Sequence, residues 1–118
     1  MENCLFCKIA AGQIPSSKVY EDEDFLAFRD IAPKAPVHIL IIPKKHLADL
    51  ASCSQEDATM LGRLNLLAVK IAEDQGIAQS GFRLLTNCRD DSGQEVAHLH
   101  FHLIGGRVLG DFCEKQQF

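Results

Sequence analysis

Three of the five histidines in this chain fall at His98, His100 and His102, with Leu99 and Phe101 between them. In a β-strand successive side chains point to opposite faces. The spacing therefore puts three imidazoles on one face and Leu99, Phe101 and Leu103 on the other. On a helix the same residues would fan apart by about 200° per step and form no cluster. The run predicts a strand that buries its apolar face and presents three rings on the other. Each ring has a reference pKa of about 6.5 and can act as nucleophile, proton carrier or metal ligand.

The rest of the chain narrows the setting. A length of 118 residues, with 47% hydrophobic and 24% charged residues, suits one globular domain with a real core. A formal net charge of −4 speaks against bulk nucleic-acid binding, though not against a small phosphorylated ligand held by a few oriented donors. No stretch approaches the roughly 18 apolar residues of a membrane span. Met1-Glu2-Asn3-Cys4 lacks the basic region and apolar run of a secretory signal. Five cysteines make an odd set, which reads as reduced thiols in a cytoplasmic protein.

Taken in order, residues 4 to 11 predict a short helix stopped by Gly12, with Cys4 and Cys7 on one helix face. Residues 18–21 and 25–29 read as a hairpin around an acidic turn. Pro33 and Pro36 make residues 30 to 36 a loop at a strand end, where ligand groups are often held. His38 opens the most β-like run, which Pro43 closes. Ser54 and Asp57 have capping-box spacing. From there Met60, Leu61, Leu64, Leu67, Ala68, Ile71 and Ala72 mark one amphipathic helix of about 20 residues, ending near Gly76. Residues 82–87 predict a strand, residues 88–94 a polar loop containing Gly93, and residues from Val108 on a tail without pattern. Cys53, Cys88 and Cys113 show no paired spacing. The expectation is one α+β domain over residues 1–118, with about five mainly antiparallel strands.

The chemistry follows from residue type. An imidazole attacks phosphorus through one nitrogen when the other holds its proton for a backbone or carboxylate oxygen. His100, between two histidine neighbours, is the natural nucleophile. His98 and His102 are placed to orient it or to donate to phosphoryl oxygens. The Gly93 loop offers backbone N–H groups, and Gln94 a neutral donor. A metal is the rival use of these residues. His98 or His102 could join Cys4, Cys7 and His46 in a closed Cys2His2 zinc site. An open zinc on all three triad histidines would leave the two cysteines unexplained.

The run from Gly93 to Arg107, Gly-Gln-Glu-Val-Ala-His-Leu-His-Phe-His-Leu-Ile-Gly-Gly-Arg, resembles the signature of the histidine triad (HIT) family. Its Gly-Gly-Arg ending resembles the Hint branch, the purine nucleoside phosphoramidases. The likeness extends through Cys4–Ile9, Gly12–Ser16, Ala27–Pro33 and Ala35–His46. It implies a HIT-like fold and a homodimer whose two sheets join into one. It also implies transfer of a purine nucleoside monophosphate, from a 5′-phosphoramidate or related adenylate, to His100, with hydrolysis following.

By position, His98, His102 and His38 match the supporting histidines, and Asn87 and Gln94 surround the phosphate and leaving group. Phe6, Ile9, Ile14, Phe28, Ile31 and Leu40 match the base and sugar pocket, and Asp30 the ribose-hydroxyl acceptor. Cys4, Cys7, His46 and His98 match a structural zinc site, and no organic cofactor is implied. The chain departs from many eukaryotic members at Glu95, where they carry a serine near the leaving group and bacterial-type members commonly resemble this chain, at Ala97, where an aromatic is frequent, and in its tail, which lacks their Trp-Pro-Pro-Gly ending. Two other readings remain: a diadenosine-polyphosphate hydrolase or nucleotidyl transferase of the same family, and a nucleotide- or zinc-binding interaction protein.

Overall fold

The computed structural model describes residues 3–111. Cys113 and most of the tail therefore lie outside the described residues. The elements are α1 (Leu5–Ala10), β1 (Lys18–Glu21), β2 (Phe25–Arg29), β3 (Val37–Pro43), α2 (Ala58–Asp74), β4 (Phe82–Leu85) and β5 (Phe101–Gly105). The five strands form one sheet in the order β1-β2-β3-β5-β4, and each neighbouring pair is antiparallel.

Local chemistry fixes most boundaries. Cys4 is the N-cap of α1, its sulfur accepting from the Cys7 N–H, and Gly12 ends the segment with a left-handed φ of 77°. In the β1–β2 turn, Asp22 Oδ1 accepts from the backbone N–H groups of Asp24 and Phe25. The Ser54–Asp57 capping box forms, but over a 3-10 turn at Gln55–Asp57. The regular helix starts at Ala58 and runs 17 residues, shorter than the periodicity suggested. No helix among the described residues is long and apolar enough to cross a membrane.

The sheet separates two apolar layers. Phe25, Ala27, Ile39, Ile41, Leu99, Phe101 and Leu103 pack with Leu64, Ala68, Ile71 and Ala72 of α2. On the opposite face Leu26, Phe28, Leu40 and Ile42 meet Phe6 and Ile9 of α1. Burying each Leu, Ile or Phe side chain of these layers contributes roughly 1.5–3 kcal/mol, so both faces of the central strands are held. The register aligns Phe28, Leu40 and His102 across β2, β3 and β5 on the α1 face. Tight contact at the end of β5 needs glycine. A Cβ on Gly105 would come within 2.8 Å of Ile77 Cδ1, and one on Gly106, at φ 94°, within 2.9 Å of Pro36 Cβ.

Two expectations about the triad strand are corrected. β5 begins at Phe101, so only His102 lies in the ladder. Before it the backbone turns to other partners. Leu99 N–H donates to Leu47 O, and Thr86 Oγ1 donates to His100 O, both in place of ladder bonds. The alternation of faces survives, because Leu99 and Phe101 still point into the α2 core. The three imidazoles are not presented to solvent: His98, His100 and His102 are at most 5% exposed. Phe6 of α1 packs edge-on to two of them. β4 also stops at Leu85, two residues short of the expected end, leaving Thr86 and Asn87 in the loop.

Candidate active site and metal cluster

A cavity of about 480 Å³ opens on the α1 face of the sheet, within the size range of small-ligand sites. Its wall brings together Phe6, Ile9, Phe28, Asp30, Ile31, Leu40, Asn87, His100 and His102 from the expected set. Leu5, Arg29, Ala32, Lys34, Glu95 and Val96 complete it. Glu95 was already marked as a departure from the family pattern; the other five were not singled out and become visible only when α1, the β2–β3 loop and the loop before His98 converge.

The hydrogen bonds assign a distinct state to each histidine. His100 Nδ1–H donates to His98 O at 2.7 Å, so Nε2 keeps its lone pair. Lys34 N–H donates to His38 Nδ1 at 3.1 Å, so the His38 proton sits on Nε2 and is given to His102 Nδ1 at 2.9 Å. His102 must then carry its own proton on Nε2, and among the described residues that buried atom has no hydrogen-bond partner. A buried donor with no acceptor is costly unless something else supplies one. It stands on the cavity wall beside His100.

Burial keeps these rings neutral. It pushes His102 down to about 4, helped by the neighbouring His100 and His38 and opposed by Asp30. Burial also lowers His100, against the pull of the His98 carbonyl, Asp30 and Glu95. His38 is lowered by burial in the same way, with Asp30 Oδ2 3.5 Å from its Nε2 as the main opposing charge. Neutral imidazole is the form that attacks an electrophile.

His98 has a different task. Its Nε2–H donates to Pro43 O at 2.8 Å, leaving Nδ1 as a lone pair aimed at Cys4, Cys7 and His46. Between those atoms the distances are 3.3 Å (Cys4 Sγ–His98 Nδ1), 3.3 Å (Cys7 Sγ–His46 Nδ1), 3.5 Å (Cys7 Sγ–His98 Nδ1) and 3.2 Å (His46 Nδ1–His98 Nδ1). A tetrahedral ion with metal–sulfur and metal–nitrogen lengths of about 2.3 and about 2.0–2.1 Å sets a sulfur and a nitrogen roughly 3.6 Å, two nitrogens roughly 3.3 Å and two sulfurs roughly 3.8 Å apart. The four pairs above are close to these separations, and all four donor atoms lie within 4.8 Å of one another, near enough to share one ion. Burial and the adjacent Cys4 sulfur push the Cys7 thiol up to about 11, so an added cation is what would draw its proton off. The Pro43 carbonyl supplies the outer-layer acceptor typical of metal-bound imidazole. The ring of His98 therefore has no nitrogen left for His100, and only its carbonyl reaches the neighbour.

Besides His38 and His98, three expected residues lie off the cavity wall. Gln94 donates both amide hydrogens to backbone carbonyls, Ala48 O at 2.8 Å and Val96 O at 2.9 Å, and accepts from Arg89 N–H. It clamps its loop rather than facing the cavity. Gly93 follows the 3-10 turn Asp90–Ser92 in left-handed conformation, and Ile14 packs on the α1 apolar layer. Arg89, at φ 68°, is held by Asp49 at 2.9 Å. That pair and Thr86 were not legible as site supports, because their partners lie 40 and 14 residues away in the chain.

Comparison with known proteins agrees with this geometry. Residues 11–109 match the model of the HIT domain. The purine nucleoside phosphoramidase of Escherichia coli strain K12 is 50% identical over 109 residues, covering 92% of each chain. A HIT family hydrolase from Legionella pneumophila superposes with a TM-score of 0.90 at 49% identity, over 92% of this chain and 96% of that one. A Zn-bound histidine triad family protein from Mycobacterium smegmatis does so at 0.77 and 31% identity, over 99% and 81%. The matched span holds the triad, the loop before it and the strands that floor the cavity, and this chain belongs to the HIT family.

Proposed function

We propose that the protein hydrolyses purine nucleoside 5′-phosphoramidates and related adenylates through a nucleotidyl intermediate on His100. One observation carries the reading: His100 is locked with its Nε2 lone pair free on the wall of a nucleotide-sized cavity, beside the unpartnered Nε2–H of His102. The apolar wall of Phe6, Ile9, Phe28 and Leu40 suits a purine, and Asp30 a ribose hydroxyl. In the first step His100 Nε2 bonds to phosphorus as the phosphorus–nitrogen bond breaks. The departing nitrogen keeps the electron pair and takes a proton from water at the rim. His102 Nε2–H donates to a phosphoryl oxygen as charge builds there. Water then attacks phosphorus, the pair returns to His100, a proton goes to solvent, and the nucleoside monophosphate leaves.

Zinc is the metal best suited to Cys4, Cys7, His46 and His98. With four protein ligands such a site is closed, so it supplies rigidity and no open position for a reaction. A homodimer is the assembly the reading implies. Its support is β4, which stands at one edge of the sheet with a side unpaired among the described residues, and the exposed Leu66 and Val69 on α2.

The test is release of AMP from adenosine 5′-phosphoramidate by the wild type and by His100→Ala. Turnover that vanishes in a folded, AMP-binding mutant is the expected result. Wild-type preference for a diadenosine polyphosphate would move the protein to the neighbouring hydrolase activity, and turnover surviving in the mutant would overturn the role of His100.

A further inference from the structure

The proton order of His38 and His102 depends on a loop that packing does not hold. Residues 31–34 are all exposed, the Ile31 side chain fully so. Yet the Lys34 N–H of this loop is the donor that keeps a lone pair on His38 Nδ1. Pro33 and Pro36 have no N–H, so the loop has few backbone donors with which to brace itself. A brace comes instead from the far end of β5. Arg107 Nη2–H donates to Lys34 O at 2.7 Å, while its Nη1–H donates to Val108 O at 3.0 Å. The ladder ends where Val37 pairs with Gly105. Beyond it Gly106 turns against Pro36 with φ 94°, which brings Arg107 within reach of Lys34.

We propose that Arg107 is a positioning residue of the reaction: by holding Lys34 O, it keeps Lys34 N–H on His38 Nδ1 and so fixes the proton order of His38 and His102. Lys34 is anchored at its carbonyl by Arg107 and at its N–H by His38, and only its own φ and ψ separate the two anchors. When the loop lifts, His38 Nδ1 loses that donor and the ring's proton can move to it. The two rings then exchange roles across their 2.9 Å contact. His102 Nδ1–H donates to His38 Nε2, and His102 Nε2 becomes a lone pair. A lone pair there repels the phosphoryl oxygen that the N–H would bind. Asp30 supports the working order from the other side, its Oδ2 3.5 Å from His38 Nε2, and its Oδ1 accepts from Ala32 N–H of the same loop. Arg107 does not line the cavity, so its influence runs through the loop. The effect on turnover rests on the phosphoramidase reading, whereas the effect on the rings does not.

The experiment compares the wild type, Arg107→Ala and Arg107→Lys, and also places Arg107→Ala in His38→Leu. Melting temperatures check each fold. Hydrogen exchange at Lys34 N–H, the ¹⁵N shifts of His102, and kcat and KM for adenosine 5′-phosphoramidate are the readouts. Arg107→Ala is expected to speed exchange at Lys34 N–H by about 3- to 10-fold, the worth of one hydrogen bond. It should also populate His102 with its proton on Nδ1, and lower kcat by about 3- to 10-fold with KM within about twofold. Arg107→Lys restores one donor to Lys34 O and should return kcat to within about twofold of wild type. In His38→Leu there is no ring to orient, so adding Arg107→Ala should change kcat by less than about twofold. Equal fold losses in both backgrounds overturn the proposal, as does a His102 proton order that is unchanged in Arg107→Ala. If the wild type releases no AMP, the hydrolase reading falls. A shifted proton order in Arg107→Ala then still upholds the role of Arg107, and an unshifted one overturns both.

Discussion

The proton order Lys34→His38→His102 can be tested by removing its middle member. His38 is buried on β3, accepts from Lys34 N–H at 3.1 Å and donates to His102 Nδ1 at 2.9 Å. In His38→Leu, the buried Nδ1 of His102 loses its donor. Removing one partner of a buried hydrogen bond costs about 1–3 kcal/mol. That is about 5- to 150-fold of lost bias toward the tautomer that aims N–H into the cavity. The ceiling is complete loss of a donor to developing charge, about 10²–10³ in kcat. We therefore expect His38→Leu to lower kcat/KM by about 10- to 100-fold.

His38→Gln separates the hydrogen bond from mere packing. Its amide nitrogen reaches about where imidazole Nε2 sat and can donate to the same Nδ1. Activity within about tenfold of wild type is expected there. AMP affinity and melting temperature report on the cavity and the fold, and the ¹⁵N shifts of His102 report which nitrogen carries its proton. Equal losses in the Leu and Gln variants, with both folded and His102 still protonated on Nε2, would refute the relay.

The remaining tests concern the metal cluster and pH. Protein prepared without affinity histidines or chelator is expected to hold near one zinc per chain, and Cys7→Ser to lose most of it. A six-residue helix cannot sustain itself, so metal loss should speed amide exchange in α1 and leave α2 protected; unchanged α1 protection would rule out the bracing role. For pH, His102 titrates at about 4 in the folded chain and at about 6.5 when unfolded. Between these values the unfolded chain binds the extra proton, so stability falls as pH drops, by about 2 kcal/mol from this ring at pH 5. Urea midpoints at pH 7.5 and pH 5 measure the loss. It should be smaller by that amount in His102→Gln, and an unchanged loss would contradict the neutral-ring assignment.

What could be read from the sequence divides along the length scale of the forces involved. The i, i+2, i+4 spacing fixes which face each triad side chain takes, because alternation depends only on extended backbone. That held even where the ladder had not begun. The helix under Leu64, Leu67, Ala68, Ile71 and Ala72 was legible for the same reason, its stripe lying within one element. Gln94 shows the limit: residue type marks it as a donor, but its two acceptors, Ala48 O and Val96 O, are set by how two loops meet. Glu95 was singled out only through the family resemblance, while Leu5 and Val96 on the cavity wall are of the same kind as Gln94. Their roles come from convergence of segments far apart in the chain, which no local pattern encodes.

The same geometry explains why three alternate histidines do three different things. A strand face makes them equivalent; what covers the face does not. Cys4 and Cys7, brought in by α1, take the Nδ1 side of His98 while Pro43 O takes its Nε2–H, so that ring is committed at both nitrogens. Phe6, on the same helix, packs edge-on at 6.0 Å from His98 and 5.0 Å from His100 and stands between the cluster and the cavity. His98 still reaches His100, through its carbonyl, and that contact leaves Nε2 as the ring nitrogen of His100 with a free lone pair. His102 is oriented by β3 through His38. A metal held at Cys4, Cys7, His46 and His98 would fix α1, hence Phe6, hence the wall against which a purine lies. It would thus act on the reaction by position, without touching the reacting atoms.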